Sequence, residues 1–553
     1  MNLDRESTLS VDAPRGRRAF LRGAGAAAGA GVLASAAVAT GTVDAAVTAS
    51  KFVPLRKPYR LADTREAIGY RFEAGDARVT NQYTRLSRNL IRVKVRDRLD
   101  VPASASAVVL TVTGSTTAVE ARYLTVYPSG EARPEASNLN IDTPYTDSGN
   151  LVFVKVGASD SVDIFQYFGC NVIVDVLGYF EPVSGTVREG RYKALTPYRV
   201  LDTRERGFRV TGGTSVVVDL GKFELGSAVT QKPPSSALVN ITAVDNAAGT
   251  FYSALPYSAA GVPSTSSFNT SFGFDQRAGA AIVAVEMVGG AAKMRVYTHQ
   301  TAHIIVDVLG YFTGPSDSAS SEGLFVPMSP LRVLDTRVPD PAARLWPAWV
   351  VEKKLPSSVP SQIGAAVINL TSTETRNGGF LSINGARQVS YAPPKTSNVN
   401  WPAAGKTVPN LTVTRMATDG FEVYTSSGSH IVADLAGYFT GSPASARYAK
   451  YVNPAPPAAP PEWSLQIPKL GITSRVLAGV NNGDSVRITD AGHSWHWTGT
   501  GYLGQAAHVA AFAHRTERAT NQFGIDPNGR VDGVFRNIHY LVNGDEWTVF
   551  TSD

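Results

Sequence analysis

Apolar and polar residues alternate with a period of two along much of this chain, and the alternation returns in three copies. "AVVLTVTG" (107–114), "ALVNITAVD" (237–245) and "AVINLTSTE" (366–374) each put apolar side chains on one face of an extended strand and polar ones on the other. "RYLTVYPSG" (122–130), "TFYSALPYS" (250–258) and "GFLSINGAR" (379–387) read as the next strand running into a turn. "PEASNLNID" (134–142), "PSTSSFNTS" (263–271) and "PKTSNVNWP" (394–402) read as polar loops.

Each copy has the same two ends. The openings are "FVPLRKPYRLADTRE" (52–66), "YKALTPYRVLDTRER" (192–206) and "FVPMSPLRVLDTRVP" (325–339); the closings are "CNVIVDVLGYFEP" (170–182), "AHIIVDVLGYFTG" (302–314) and "SHIVADLAGYFTG" (429–441). The opening aspartates Asp63, Asp202 and Asp335 lie 139 and 133 residues apart, a domain-sized spacing well beyond a solenoid repeat. The expectation is an all-β chain: three repeated sandwich or barrel domains, each of about ten short strands. In each, the second strand should pair with the closing one. The expected boundaries are 1–49 (export signal), 50–184, 185–318 and 319–441 (β repeats), 442–462 (linker) and 463–553 (a further, partial β-barrel). "TGPSDSASSEG" (313–323) reads as a short flexible joint, and the Pro/Ala-rich stretch around 442–462 as a semi-rigid spacer.

Composition agrees with this picture. The chain is 43% apolar and 18% charged, and its 50 glycines and 33 prolines favour strands joined by turns. The net charge of +6 comes from scattered Lys and Arg with no aromatic interleaving, which argues against a nucleic-acid groove.

Two charged features recur in register. One is Arg–x–x–Asp–Thr–Arg: Arg60, Asp63, Arg65; Arg199, Asp202, Arg204; Arg332, Asp335, Arg337. The other is an aspartate inside the closing strand, Asp175, Asp307 or Asp434. A carboxylate in an apolar strand needs a partner, so an Asp–Arg bridge from first strand to last is expected. The alternative is a sugar or wall-polymer site in each copy, three sites giving avidity. His303 and His430 share a position that Asn171 holds in the first copy, and read as hydrogen-bonding strand residues. The single cysteine, Cys170, aligns with Ala302 and Ser429 and reads as a small packing position. No disulfide, metal or cofactor is expected.

The N-terminus, "PRGRRAFLRGAGAAAGAGVLASAAVATG", sets Arg17 and Arg18 before a weakly apolar Gly/Ala run. This resembles a twin-arginine export signal, which implies a bacterial protein exported folded to the cell surface or the medium. "VTAS" (47–50) offers a small-residue cleavage site, with "AVA" (37–39) as the alternative.

Five of the eight histidines, His493, His496, His508, His514 and His539, fall in the last ninety or so residues. His493 and His496 form H-x-x-H, but on an extended segment that spacing turns the rings to opposite faces. "IPKLGI" (467–472), "TGTGYLGQ" (498–505), "VAAFAHRT" (509–516) and "FRNIHYLVNGDEWTV" (535–549) resemble, in order, the first half of a sortase domain. That resemblance implies a β-barrel cysteine transpeptidase of the cell envelope. His514 would be the catalytic acid, and the partners a sorting-motif peptide and a wall-linked amine. A thiolate would attack, an imidazolium would protonate the leaving amine, and a guanidinium would face the developing charge. The family places its cysteine and arginine several tens of residues after the histidine, yet residues 515–553 contain no cysteine. The segment therefore reads as truncated and inactive as it stands. The alternative is a non-enzymatic wall- or glycan-binding protein whose function lies in the three repeats.

Overall fold

The computed structural model describes residues 49–445 apart from 73–77, 117–121, 142–144, 222–231, 339–343, 386–393 and 419, together with 453–454 and the backbone of seven strands between 463 and 551. The protein is all-β. The longest described helix is the five-residue 3-10 turn Thr64–Ile68, so no described helix could cross a membrane.

Each copy, hereafter a module, is a sandwich of two antiparallel sheets. The inner sheet runs opening–closing–central–rim. In module 1 these strands are Ser50–Asp63, Asn171–Pro182, Ala107–Ser115 and Asp147–Lys155. In module 2 they are Tyr192–Asp202, His303–Phe312, Ser236–Val244 and Arg277–Ala284, and in module 3 Phe325–Asp335, His430–Thr440, Ile363–Thr373 and Val408–Arg415. The second sheet of each module ends on a three-residue strand, Leu139–Ile141, Phe268–Thr270 or Val399–Trp401. None of the described sheets closes into a barrel. Among the described residues module 1 has nine strands, module 2 nine and module 3 eight.

The alternation explains the layering. Val108, Leu110 and Val112 face the second sheet of module 1, while Ala107 and Val109 face the other way. The apolar clusters follow suit: each module has one between its sheets, and a fourth is built from all three inner sheets. The central strands therefore bury both faces.

This shared core has a cyclic order. Phe52 of module 1 packs on Phe312 of module 2 (ring centroids 4.3 Å apart), Tyr192 of module 2 on Phe439 of module 3 (4.6 Å), and Phe325 of module 3 on Phe180 of module 1 (4.3 Å). The glycine of the closing motif makes room for these rings. A Cβ on Gly178 would lie 2.5 Å from the Phe52 ring, and one on Gly437 would lie 2.6 Å from the Phe325 ring. At the periphery, each rim strand lies against the three-residue strand of the next module: Asp147–Lys155 on Phe268–Thr270, Arg277–Ala284 on Val399–Trp401, and Val408–Arg415 on Leu139–Ile141.

The opening strands of modules 1 and 3 meet at Ser50 and Phe325, which joins two inner sheets into one of eight strands. The joint at 313–323 is not the flexible segment its composition suggested. Asp317 is buried within reach of Arg191 (3.5 Å), Lys193 (3.1 Å) and Lys232 (3.9 Å), and Ser320 bridges Val187. Burial pushes the Asp317 carboxyl up, but the Lys193 and Ser318 hydrogen bonds and the surrounding cations outweigh it and hold the group below its ordinary range.

After module 3 the chain is pinned again. The Asn453 side chain accepts from Val350 N–H (2.8 Å) and donates to Val350 C=O (3.1 Å), while Trp349 Nε1–H donates to Pro454 O (2.9 Å). An amide thus satisfies the backbone of edge strand Trp349–Lys353 as a neighbouring strand would. Further on, five strands form an open sheet in the order Ala511–Phe512, Ser494–Trp497, Ile472–Gly479, Trp463–Ile467, Thr548–Thr551.

Candidate functional site

The recurrent Arg and Asp residues come together in every module. Arg60 stands opposite Asp175 in the ladder, Arg199 opposite Asp307, and Arg332 opposite Asp434. The guanidinium Nε donates to the closing-strand carboxylate at 2.9, 2.9 and 3.0 Å, and a second nitrogen reaches its other oxygen at 3.4, 3.3 and 3.3 Å. The same arginines approach Asp63, Asp202 and Asp335 at 3.5, 3.4 and 3.3 Å. A register shift just beyond each arginine re-aims the strand so that this second aspartate faces its own downstream arginine. Arg65, Arg204 and Arg337 then close on it at 2.7, 2.7 and 2.6 Å.

Two carboxylates and two guanidiniums make each cluster neutral. Burial pushes the carboxyls of Asp175, Asp307 and Asp434 above their ordinary range in spite of their arginines. Burial also pushes on Asp202 and Asp335, but hydrogen bonds from Arg204 and Arg337 prevail and hold them low. Hydrogen bonding by the carboxylates in turn raises Arg65, Arg204 and Arg337. With both oxygens of each closing-strand carboxylate engaged by an arginine, the arrangement is that of a structural tie between first and last strands.

The clusters also sit at the joints between modules. Arg60 donates across to Ser264 O of module 2 (3.1 Å), and the Asp307 carboxylate takes a backbone hydrogen bond from Ser397 of module 3. Beside them runs an asparagine ladder that the sequence reading missed. Asn369 donates to Ser137 O (2.6 Å) and accepts from Asn150 (2.9 Å); Asn240 donates to Ser397 O (2.6 Å) and accepts from Asn410 (2.8 Å). The segments called polar loops above are thus partly buried interface, with Asn138 and Asn398 almost fully covered. The available signal was asparagine inside apolar strands, in "GNLV", "VNIT", "INLT" and "PNLT".

His303 and His430 meet Thr203 Oγ1 and Thr336 Oγ1 at 3.1 and 3.2 Å, as Asn171 meets Thr64 Oγ1 at 3.2 Å. These are one strand-end hydrogen bond made three times. Cys170 packs against the module 1 core, and burial pushes its thiol up to about 12, which removes thiolate character at neutral pH. Among the described residues no cluster of three His, Cys, Asp or Glu could hold a metal ion.

His514 lies outside the described residues, as do His493, His508 and His539. On either side of it the backbone is extended: Ala511–Phe512 pairs with Trp495–His496, and Thr516–Arg518 pairs with Arg530–Asp532. Ile467 pairs with Ile472, the two ends of the first sortase-like segment. No protein-family model matches the chain, and no curated protein matches it either.

Proposed function

We propose that this is an exported cell-envelope protein whose three-module body carries a sortase-type transpeptidase segment, with His514 as the general acid. The observation that supports this reading is the run of four sortase-like segments in family order between residues 467 and 549, with His514 in the third. Extended backbone just before and just after the His–Arg pair agrees with it locally.

In this reading a thiolate attacks the scissile peptide carbonyl. The C–N bond breaks as the His514 imidazolium protonates the leaving amine, and a wall-linked amine then releases the thiol from the thioester. Cys170 is a half-buried packing residue of module 1 whose thiol is held protonated, and residues 515–553 hold no cysteine. This reading therefore assigns neither the thiolate nor the supporting arginine to a residue of this sequence.

The test uses the protein as the cell makes it: intact mass, alkylatable thiols, and capture of a thioester from a wall-sorting peptide. A second thiol should be found, and His514→Ala should lower thioester formation by a factor of about 10²–10⁴. A polypeptide that stops at Asp553, with Cys170 its one thiol, would overturn the transpeptidase reading and leave the modules, with wall polymer as their partner, as the working part.

A further inference from the structure

We propose that the outer face of the second sheet of module 1 binds an anionic saccharide chain, with sugar rings on Tyr123 and Tyr167 and charged groups on Arg133 and Arg88. Placing that chain in the cell envelope rests on the export reading proposed above.

Strand alternation sets the face. Leu124 and Val126 of strand Arg122–Pro128, and Val162 and Ile164 of strand Ser161–Gln166, point into the core of module 1. Tyr123 and Phe165 therefore point outward, with Tyr167 just past the strand end. None of these three rings belongs to the four apolar clusters. Tyr123 stacks on Tyr167 (ring centroids 5.0 Å apart, interplanar angle 14°) and lies 6.1 Å from Phe165. The same diagonal pair recurs as Phe251–Tyr297 (5.7 Å) and Phe380–Tyr424 (5.8 Å), as expected of rings that steady a sheet. Tyr297 and Tyr424 are buried, however, at 2% and 6% exposure. Only in module 1 are both rings of the pair partly open to solvent.

The cations are less evenly spread than composition suggests. Between residues 78 and 98 seven Lys and Arg stand against one acidic residue, Asp97, an excess equal to the net +6 of the whole chain. Arg92 grips Asp163 (2.7 and 2.9 Å), Arg96 reaches Asp160 (3.4 Å), Lys94 lies 3.8 Å from Asp97, and Arg98 is buried. Arg88 is exposed in the turn after edge strand Thr84–Ser87. Gln166 N–H donates to Asn89 O (2.8 Å), which brings that turn beside Tyr167. The guanidinium of Arg133, also exposed, lies 3.9 Å from the centroid of the Phe165 ring. Neither Arg88 nor Arg133 has a carboxylate partner among the described residues.

A pyranose presents a face of slightly positive C–H bonds, which packs on the negative face of an aromatic ring while the hydroxyls seek polar groups at the rim. Here Asn140 stands opposite Tyr123 in the ladder. Guanidiniums match the carboxylates or phosphodiesters that anionic saccharides carry. Tyr123 and Tyr167 are already stacked on each other and leave no slot between them for a base, so the face favours a saccharide laid across it.

The experiment is calorimetric titration of the full chain with an oligomer of galacturonic acid and with a glycosyl-phosphate polymer, which separate the carboxylate from the phosphodiester source. A neutral glucan and a single-stranded oligonucleotide serve as competitors in class. At least one anionic saccharide should bind, more weakly as salt is added. Tyr123→Ala and the surface change Arg133→Gln should each weaken binding about tenfold. Phe251→Ala, at the matching position of module 2, should leave it unchanged. The proposal is overturned by no binding of either anionic saccharide, by equal binding of the glucan, by tighter binding of the oligonucleotide, or by an equal loss in Phe251→Ala. Saccharide binding by a protein that stays inside the producing cell would sink the export reading and uphold the site.

Discussion

At the scale of single residues, the chemistry most visible in the sequence is structural. An aspartate in the middle of "VIVDVLGYF" cannot be buried alone, and its partner was identifiable because Arg60, Arg199 and Arg332 recur in register with it. The asparagine ladder was harder to see, because Asn150, Asn240, Asn369 and Asn410 face other modules and nothing in one strand names its partner in another. Removing one member of a buried pair leaves the other charged and unsatisfied. Asp307→Ala, with the carboxylate fully buried and Arg199 left behind, should therefore destabilise the protein by about 3–5 kcal/mol. The urea unfolding midpoint would show this. An unchanged midpoint would mean that the bridge contributes nothing net.

At the scale of elements, strands were legible from their period and joints were not. "TGPSDSASSEG" has the composition of a flexible linker, yet three cations on another part of module 2 hold Asp317 in place. Local composition is blind to such distant partners. The closing glycine is a similar case. In the sequence Gly178, Gly310 and Gly437 look like weak points in good strands; in the fold they are where the opening aromatic ring crosses the strand. Gly437→Ala should then cost about 1–3 kcal/mol by forcing the Phe325 ring aside. Thermal unfolding should register the loss. A neutral or raised melting temperature would show that the ring has room to move.

At the scale of the whole molecule, the three copies were evident but their association was not. The start of each module carries Phe52, Tyr192 or Phe325, which a single strand would assign to its own sandwich. They belong instead to a core between modules, each against the closing aromatic of the next, and Ser50 completes the circle. His514 was singled out by its sequence motif alone, because the described backbone ends on either side of it.

The central claim is that the modules share one core and open together. Val109, Leu238 and Val367 are equivalent positions in that core, one per module. The decisive measurement is native-state hydrogen exchange at the amides of the three central strands, before and after Leu238→Ala. If the core is shared, the substitution in module 2 should lower the opening free energy of all three strands alike, by about 2–5 kcal/mol. A loss confined to Ser236–Val244, with Ala107–Ser115 and Ile363–Thr373 unchanged, would show three independent domains and contradict the account.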